Sequence, residues 1–162
     1  MRQSRDVGIE PILCLRKVAL YTPTDVADAA MARRRKPSFF VAIVDDDAGV
    51  RAAIESLLNS IGVKTRTFAS AEAYLRSNDS AVAGCLIVDM RLPGMSGLEL
   101  QRQLHGKGLG IPAIFVTAED DADGRLRAQM EQAGAVAVLH KPCDPEELTR
   151  LVQATVSARR LS

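Results

Sequence analysis

The stretch Cys85-Leu86-Ile87-Val88-Asp89, followed by Met90-Arg91-Leu92-Pro93-Gly94, decides the fold of this 162-residue chain. A continuous apolar run of this length is typical of a strand that is buried on both faces, as in a parallel sheet. The run ends on the carboxylate of Asp89, and a loop containing Pro and Gly follows. Because open α/β sheets build their sites at the carboxyl ends of the strands, Asp89 is the first candidate site residue.

Around this stretch, from Ser38 onward, the pattern alternates strand and helix five times. Strands are predicted at 39–44, 63–68, 84–88, 112–116 and 135–139. Helices are predicted at 48–61, after the cap Ser70, after the capping-box spacing of Ser96 and Glu99, at 121–133, and from the cap Asp144 to about Ala158. Alternating elements with short connections predict an α/β fold, a five-stranded doubly wound parallel sheet with helices on both faces.

The composition is that of a globular chain with one core. Hydrophobic residues make up 47% and charged residues 25%. The sequence contains no apolar run of the roughly eighteen residues that a membrane span needs, so no membrane contact is predicted. Three cysteines at wide spacing indicate neither a disulfide framework nor a zinc site and favour a cytoplasmic protein.

The charge differs between the two parts of the chain. Residues 1–37 carry eight Lys/Arg against four Asp/Glu, whereas residues 38–162 carry thirteen against sixteen. The acidic body argues against direct binding of nucleic acid. For residues 1–37, which hold the basic cluster Arg33-Arg34-Arg35-Lys36, three interpretations stay open: a basic tethering tail, a disordered extension, or a mis-called start with Met31 as the true first residue. The folded domain is predicted to span 38–160.

Five polar residues follow the predicted strands and should meet at one edge of the sheet. Asp45 and Asp46 follow the first strand, Asp89 ends the third, Thr117 follows the fourth and Lys141 follows the fifth. Three converging carboxylates repel one another unless a cation neutralises them, and oxygen ligands suit Mg²⁺. A carboxylate beside Mg²⁺ and a lysine is equipped to attack a phosphoryl group.

Each of these residues also has an ordinary structural explanation. Asp45-Asp46-Asp47 is compatible with a helix N-terminus, which is the preferred interpretation for Asp47. Thr117 is compatible with a strand end, Lys141-Pro142 with a surface turn, and Asp89 before Pro-Gly with turn chemistry. Their joint occurrence at the ends of four strands is what indicates a site.

These motifs carry a family resemblance. The text Ile43-Val44-Asp45-Asp46-Asp47, residues 88–97, Phe115-Val116-Thr117-Ala118 and Lys141-Pro142 resembles the response-regulator receiver domain of bacterial two-component signalling. The resemblance covers residues 38–160. It implies a flavodoxin-like three-layer sandwich with strand order 2-1-3-4-5 and a crevice between the first and third strands.

The resemblance also implies a role for each site residue. Asp89 would be the phosphoacceptor. Asp46, Asp89 and the backbone carbonyl of Arg91 would bind Mg²⁺ directly, and Asp45 would act through a metal-bound water.

Further roles follow for the residues after the fourth and fifth strands. Thr117 would be the switch hydroxyl, and Lys141 would pair with the phosphoryl group. Ala118 is small enough to leave access to the site. The peptide bond before Pro142 is commonly cis in this family.

The stretch 67–75 and the position of Arg91 are most similar to FixJ-type regulators. One departure stands out: Val138 occupies the place, three residues before Lys141, where the family usually has Tyr or Phe. Because the rotation of that aromatic couples to Thr117, phosphorylation is expected to move Thr117 while the surface of the fourth helix and fifth strand responds weakly or by another route.

The resulting expectation is a stand-alone signalling module that accepts a phosphoryl group on Asp89 from a histidine kinase in a Mg²⁺-dependent reaction. It would act through a downstream protein partner or a phosphotransfer protein, without an output domain, as a monomer or weak dimer. It would catalyse only its own phosphorylation and dephosphorylation. Another interpretation is a degenerate receiver that works by binding alone. Such a domain should lack residues of the acceptor site, and this sequence lacks none of them. The alternative is a haloacid-dehalogenase-type phosphohydrolase with Asp45 as nucleophile, since Asp45-Asp46-Asp47 also spells Asp-x-Asp after a strand.

Overall fold

The computed structural model describes residues 39–77, 79, 82–118 and 124–161. The extension 1–37, with its basic cluster and the alternative start at Met31, lies outside these residues. So does the first part of the helix predicted at 121–133. The predicted domain boundaries at 38 and 160 therefore stay predictions.

Within the described ranges, five strands form one parallel sheet in the order β2-β1-β3-β4-β5. The strands are β1 Phe40–Val44, β2 Thr65–Phe68, β3 Ala83–Asp89, β4 Ala113–Thr117 and β5 Ala135–His140. The helices are α1 Ala48–Ser60, α2 Ala71–Arg76, α3 Gly97–Gly106, α4 Arg125–Gln132 and α5 Pro145–Leu161. The predicted fold class and strand order are confirmed.

The core consists of two layers, one on each face of the sheet. Side chains of a strand alternate between the faces, so Val44 packs with Tyr74 of α2 and Leu98 of α3. Ile43 packs on the opposite face, with residues of α1 and α5 such as Leu58. Each fully buried aliphatic side chain of this kind contributes about 1.5–3 kcal/mol to folding. These two layers hold the strand ends, and hence the site residues, at fixed positions.

The predicted helix caps are present. Oδ1 of Asp47 accepts hydrogen bonds from the backbone N–H groups of Gly49 and Val50, at 2.7 and 3.0 Å. Ser96 and Glu99 form the predicted capping box. Oδ1 of Asp144 accepts from the N–H groups of the next helix at 2.7 and 3.0 Å. Asp47 is therefore a helix cap, as its sequence context predicted.

The described part of the predicted fourth helix is α4, which begins at Arg125. Gly124 before it has a φ of +70°, in the left-handed region that a right-handed helix does not enter. The predicted start at Asp121 lies outside the described residues. Elsewhere the predicted bounds shift by one to three residues, and α5 continues to Leu161. Among the described helices, none has the length and apolar character needed to cross a membrane.

Candidate functional site

Asp45 lies at the end of β1 with its side chain buried. The residue is only 3% exposed, and both carboxylate oxygens have partners. Oδ1 accepts from the backbone N–H of Asp47 at 2.8 Å, and Oδ2 accepts from the ammonium of Lys141 at 2.8 Å. The backbone carbonyl of Asp45 accepts a hydrogen bond from the guanidinium of Arg51 at 2.6 Å. Asp45 is thus held in one orientation from three sides.

Asp89 ends β3, the central strand, and is 8% exposed. Its Oδ1 accepts from the backbone N–H of Arg91 at 2.9 Å, and its Oδ2 lies 2.5 Å from the ammonium of Lys141. One lysine therefore bridges the carboxylates at the ends of β1 and β3. Its side chain is 23% exposed, which leaves one side open to a ligand.

The pKa of Lys141 is raised. Partial burial of the ammonium acts in the opposite direction, but hydrogen bonds to Asp45 and Asp89 and the charges of these carboxylates outweigh it. Lys141 is therefore a permanent cation at neutral pH.

Thr117 lies next to this bridge. It is the last residue of β4 and 2% exposed. Its carbonyl accepts a hydrogen bond from the backbone N–H of Lys141 at 2.8 Å, which aligns the start of the loop after β5 with the end of β4. Ala118 is exposed, and the Lys141-Pro142 peptide bond is cis, as the resemblance implied.

Three carboxylates form a cluster that suits a divalent cation. Asp45, Asp46 and Asp89 each offer an oxygen, and these oxygens lie within 4.8 Å of one another. Asp46 is exposed, so the cluster opens to solvent on its side. Three carboxylates and the ammonium of Lys141 leave a formal charge of −2, which a divalent cation would cancel. The oxygen-only donor set, with room for water, fits Mg²⁺.

The loop between β3 and α3 passes very close to Asp89. A Cβ atom at position 97 would lie 2.3 Å from the carbonyl oxygen of Asp89 and 2.9 Å from a methyl group of Val88, so only glycine fits there. The N–H of Gly97 also donates to the carbonyl of Met90 at 3.1 Å. The loop that carries the Arg91 carbonyl is therefore held at both ends beside Asp89.

Sequence reasoning did not single out two residues that shape this site. Arg51 fixes the backbone of Asp45, and Glu72 accepts a hydrogen bond from the N–H of Met95 at 2.9 Å. Glu72 lies within the stretch 67–75 that carried the FixJ-type similarity, so the signal was present without an assigned role. For Arg51, nothing in the sequence indicated a role except its position one helical turn after the acidic residues.

A small cavity lies beside Thr117, between α4 and the ends of β4 and β5. It has a volume of about 100 Å³ and is lined by Thr117, Leu126, Met130 and Val138, among others. Val138 is partly buried here. The smaller side chain at this position thus leaves space next to the predicted switch hydroxyl.

Comparison with known proteins gives a consistent result. Residues 41–153 match the family model described as the response regulator receiver domain. The transcriptional regulatory protein TdiR of Thauera aromatica is 39% identical over 120 residues, which cover 74% of this chain and 52% of TdiR. The response regulator protein TodT of Pseudomonas putida is 41% identical over 114 residues, which cover 70% of this chain and 49% of TodT. The chain spans about half the length of these curated relatives.

The structural comparison agrees. The crystal structure of FixJ-N aligns with a TM-score of 0.66 and 31% identity, covering 74% of this chain and 94% of that chain. The similarity to FixJ-type regulators that the sequence suggested is confirmed.

Proposed function

Because this chain belongs to the response regulator receiver domain family, we propose that it accepts a phosphoryl group from a histidine kinase onto Asp89 in a Mg²⁺-dependent reaction. The observation that carries this proposal is the ammonium of Lys141, which bridges Asp45 and Asp89 inside the three-carboxylate cluster. This arrangement supplies a nucleophile, a fixed cation and a set of metal ligands in one crevice.

The reaction is a displacement at phosphorus. A carboxylate oxygen of Asp89 forms the new P–O bond, the bond from phosphorus to the donor atom breaks, and its electron pair stays with the donor. Lys141 offsets negative charge on the phosphoryl oxygens and then pairs with the product. Asp45, Asp46, Asp89 and the Arg91 carbonyl would hold Mg²⁺, which supplies further positive charge when bound.

Thr117 and Ala118 take part after transfer in this proposal. The Thr117 hydroxyl would donate to a phosphoryl oxygen, and exposed Ala118 leaves the approach open. The module would then signal through a protein partner or pass the phosphoryl group on, acting as catalyst only on its own phosphorylation and dephosphorylation. A cytoplasmic location and a monomer or weak dimer stay predictions.

The haloacid-dehalogenase-type alternative finds no support in the family match. Asp47, the second acid of the Asp-x-Asp pattern, caps α1 instead. Asp144, which follows the lysine, caps α5.

Labelling with acetyl phosphate tests the proposal. In the presence of MgCl₂ the full chain should gain one phosphoryl group, and peptide mapping should place it on Asp89. A chelator should prevent labelling. Label on Asp45, or steady turnover of phosphate esters, would contradict the receiver function.

Val138→Tyr should strengthen the structural response to phosphorylation. In the wild-type protein we expect phosphorylation to shift the NMR resonances of Thr117 strongly and those of the α4 and β5 surface weakly. A tyrosine at 138, placed beside the cavity at Thr117, should extend the shifts to that surface. Val136→Tyr, on the same strand at an exposed position, is the control and should not. Similar shifts on this surface in wild type and Val138→Tyr would refute the expectation.

A further inference from the structure

Glu72 connects helix α2 to the loop between β3 and α3. Its Oε1 accepts a hydrogen bond from the backbone N–H of Met95 at 2.9 Å, across 23 residues of sequence. Backbone hydrogen bonds, its own first and then that from Met95, lower the pKa of Glu72, so the acceptor is a carboxylate at neutral pH. A hydrogen bond to a charged acceptor is stronger than one to a neutral acceptor.

Gly94 shows independently that the loop is shaped around this carboxylate. Its φ is +80°, and a Cβ atom there would lie 2.7 Å from Oε1 of Glu72. A larger residue at position 94 would push Glu72 and the loop apart. The absence of a side chain at Gly94 and the hydrogen bond from Met95 are thus two independent indications that the loop packs closely against Glu72.

The two partners of this contact are fixed differently. α2 is anchored in the core by Tyr74, which is fully buried and packs edge-on against Phe68 with ring centroids 5.0 Å apart. The loop is tied at its start, where the N–H of Arg91 donates to Asp89, and at its end by the close fit of Gly97. Glu72 holds the middle of the loop from a separate, rigid element.

We propose that Glu72 is a positioning residue, which fixes the loop after Asp89 so that the carbonyl of Arg91 and the carboxylate of Asp89 stay arranged for Mg²⁺. This inference rests on the proposed function. Glu72 acts through the backbone of the loop and does not touch the metal site itself. Mutation of residues that orient metal ligands typically weakens metal binding by about 10-fold to 100-fold.

The test measures Mg²⁺ affinity and loop order in the full 162-residue chain. Glu72→Ala should weaken the binding of Mg²⁺ about tenfold. The shifts of the backbone amide resonances during a titration with MgCl₂ measure this affinity. Glu72→Gln keeps an acceptor oxygen at the same reach and should stay close to the wild type. In Glu72→Ala without metal, the Met95 amide should exchange its proton faster, because its acceptor is gone.

Two further variants complete the test. Glu72→Asp keeps the charge at the helix start but is one methylene too short, so it should weaken Mg²⁺ binding as well, even if Glu72→Ala folds poorly. Glu146→Ala removes the acid from the corresponding second position of α5 and should leave Mg²⁺ affinity unchanged.

The outcomes separate this inference from the proposed function. If wild type binds Mg²⁺ and takes phosphoryl on Asp89, but Glu72→Ala and Glu72→Asp bind Mg²⁺ equally well, the inference is overturned alone. Faster exchange at Met95 with unchanged Mg²⁺ affinity also overturns it, because Glu72 would then be purely structural. A wild-type protein that binds no Mg²⁺ overturns both.

Discussion

Lys141→Met is expected to lower the free energy of unfolding of the metal-free protein by about 3 kcal/mol, because carboxylates in a partly buried cluster lose their ammonium. In the wild type this ammonium lies 2.8 Å from Asp45 and 2.5 Å from Asp89. At an effective dielectric constant of about 20, the two pairs represent roughly 13 kcal/mol of attraction, most of which offsets the cost of removing the charges from water. Urea denaturation in a chelating buffer measures the loss.

Mg²⁺ should reverse part of this loss, since the ion and the ammonium offset the same negative charge. Lys141→Met should bind Mg²⁺ more tightly than wild type, and its deficit in unfolding free energy should shrink to roughly half in saturating MgCl₂. Lys107→Met, at an exposed position after α3, is the control and should cost less than about 0.5 kcal/mol. An equal loss for Lys141→Met in both buffers would show that Lys141 acts through packing and not through its charge.

Asp89→Asn is expected to abolish phosphorylation by acetyl phosphate while changing the stability of the metal-free protein by less than about 1 kcal/mol. The amide is no nucleophile, but its oxygen can still accept from the N–H of Arg91. The substitution removes an attraction to Lys141 and, at the same time, two repulsions from carboxylates whose oxygens lie within 4.8 Å. Because these contributions oppose each other, we expect only a small net change in stability.

Asp46→Asn is the matched comparison for this balance. It removes the repulsion between Asp46 and Asp89 without removing an ion pair to Lys141. We therefore expect it to stabilise the metal-free protein by about 1 kcal/mol; the gain is this small because solvent screens the exposed side chain of Asp46. Intact-protein mass spectrometry measures phosphorylation, and urea denaturation measures the free energy of unfolding. A marked loss of stability in Asp89→Asn would identify Asp89 as a structural residue, and residual labelling would place the acceptor elsewhere.

Much of the fold could be predicted because the central strands are continuous apolar runs in the sequence. β1, β3 and β4 are buried along their whole length, so their apolar runs are continuous. β3 and β4 end at a polar residue, and Asp45 directly follows β1. Caps such as Asp47 and Ser96 act on their own neighbours in sequence and are therefore visible in it. The left-handed conformation of Gly124 before α4 could not be predicted, because the sequence does not show which conformation a glycine adopts.

The site residues could be predicted only as a group. Parallel strands bring their carboxyl ends to one edge, which made Asp45, Asp89 and Lys141 neighbours before any geometry was known. The contacts that hold them could not be predicted in the same way. The reach of Glu72 to Met95 depends on where a short helix lies against a loop 23 residues later, and no local periodicity encodes that distance.

The bridge of Lys141 also has a consequence for the synthesis of the chain. The lysine lies 96 residues after Asp45 and 52 after Asp89, just beyond β5, the last strand of the sheet. A growing chain therefore carries all three carboxylates long before it carries their counter-ion, and parallel pairing over such separations forms late. We expect the acceptor to become competent only when the domain is complete, which truncation before Lys141 would test. If Asp89 accepts phosphoryl groups as proposed, an unfinished chain that lacks Lys141 should not take them from a phosphodonor.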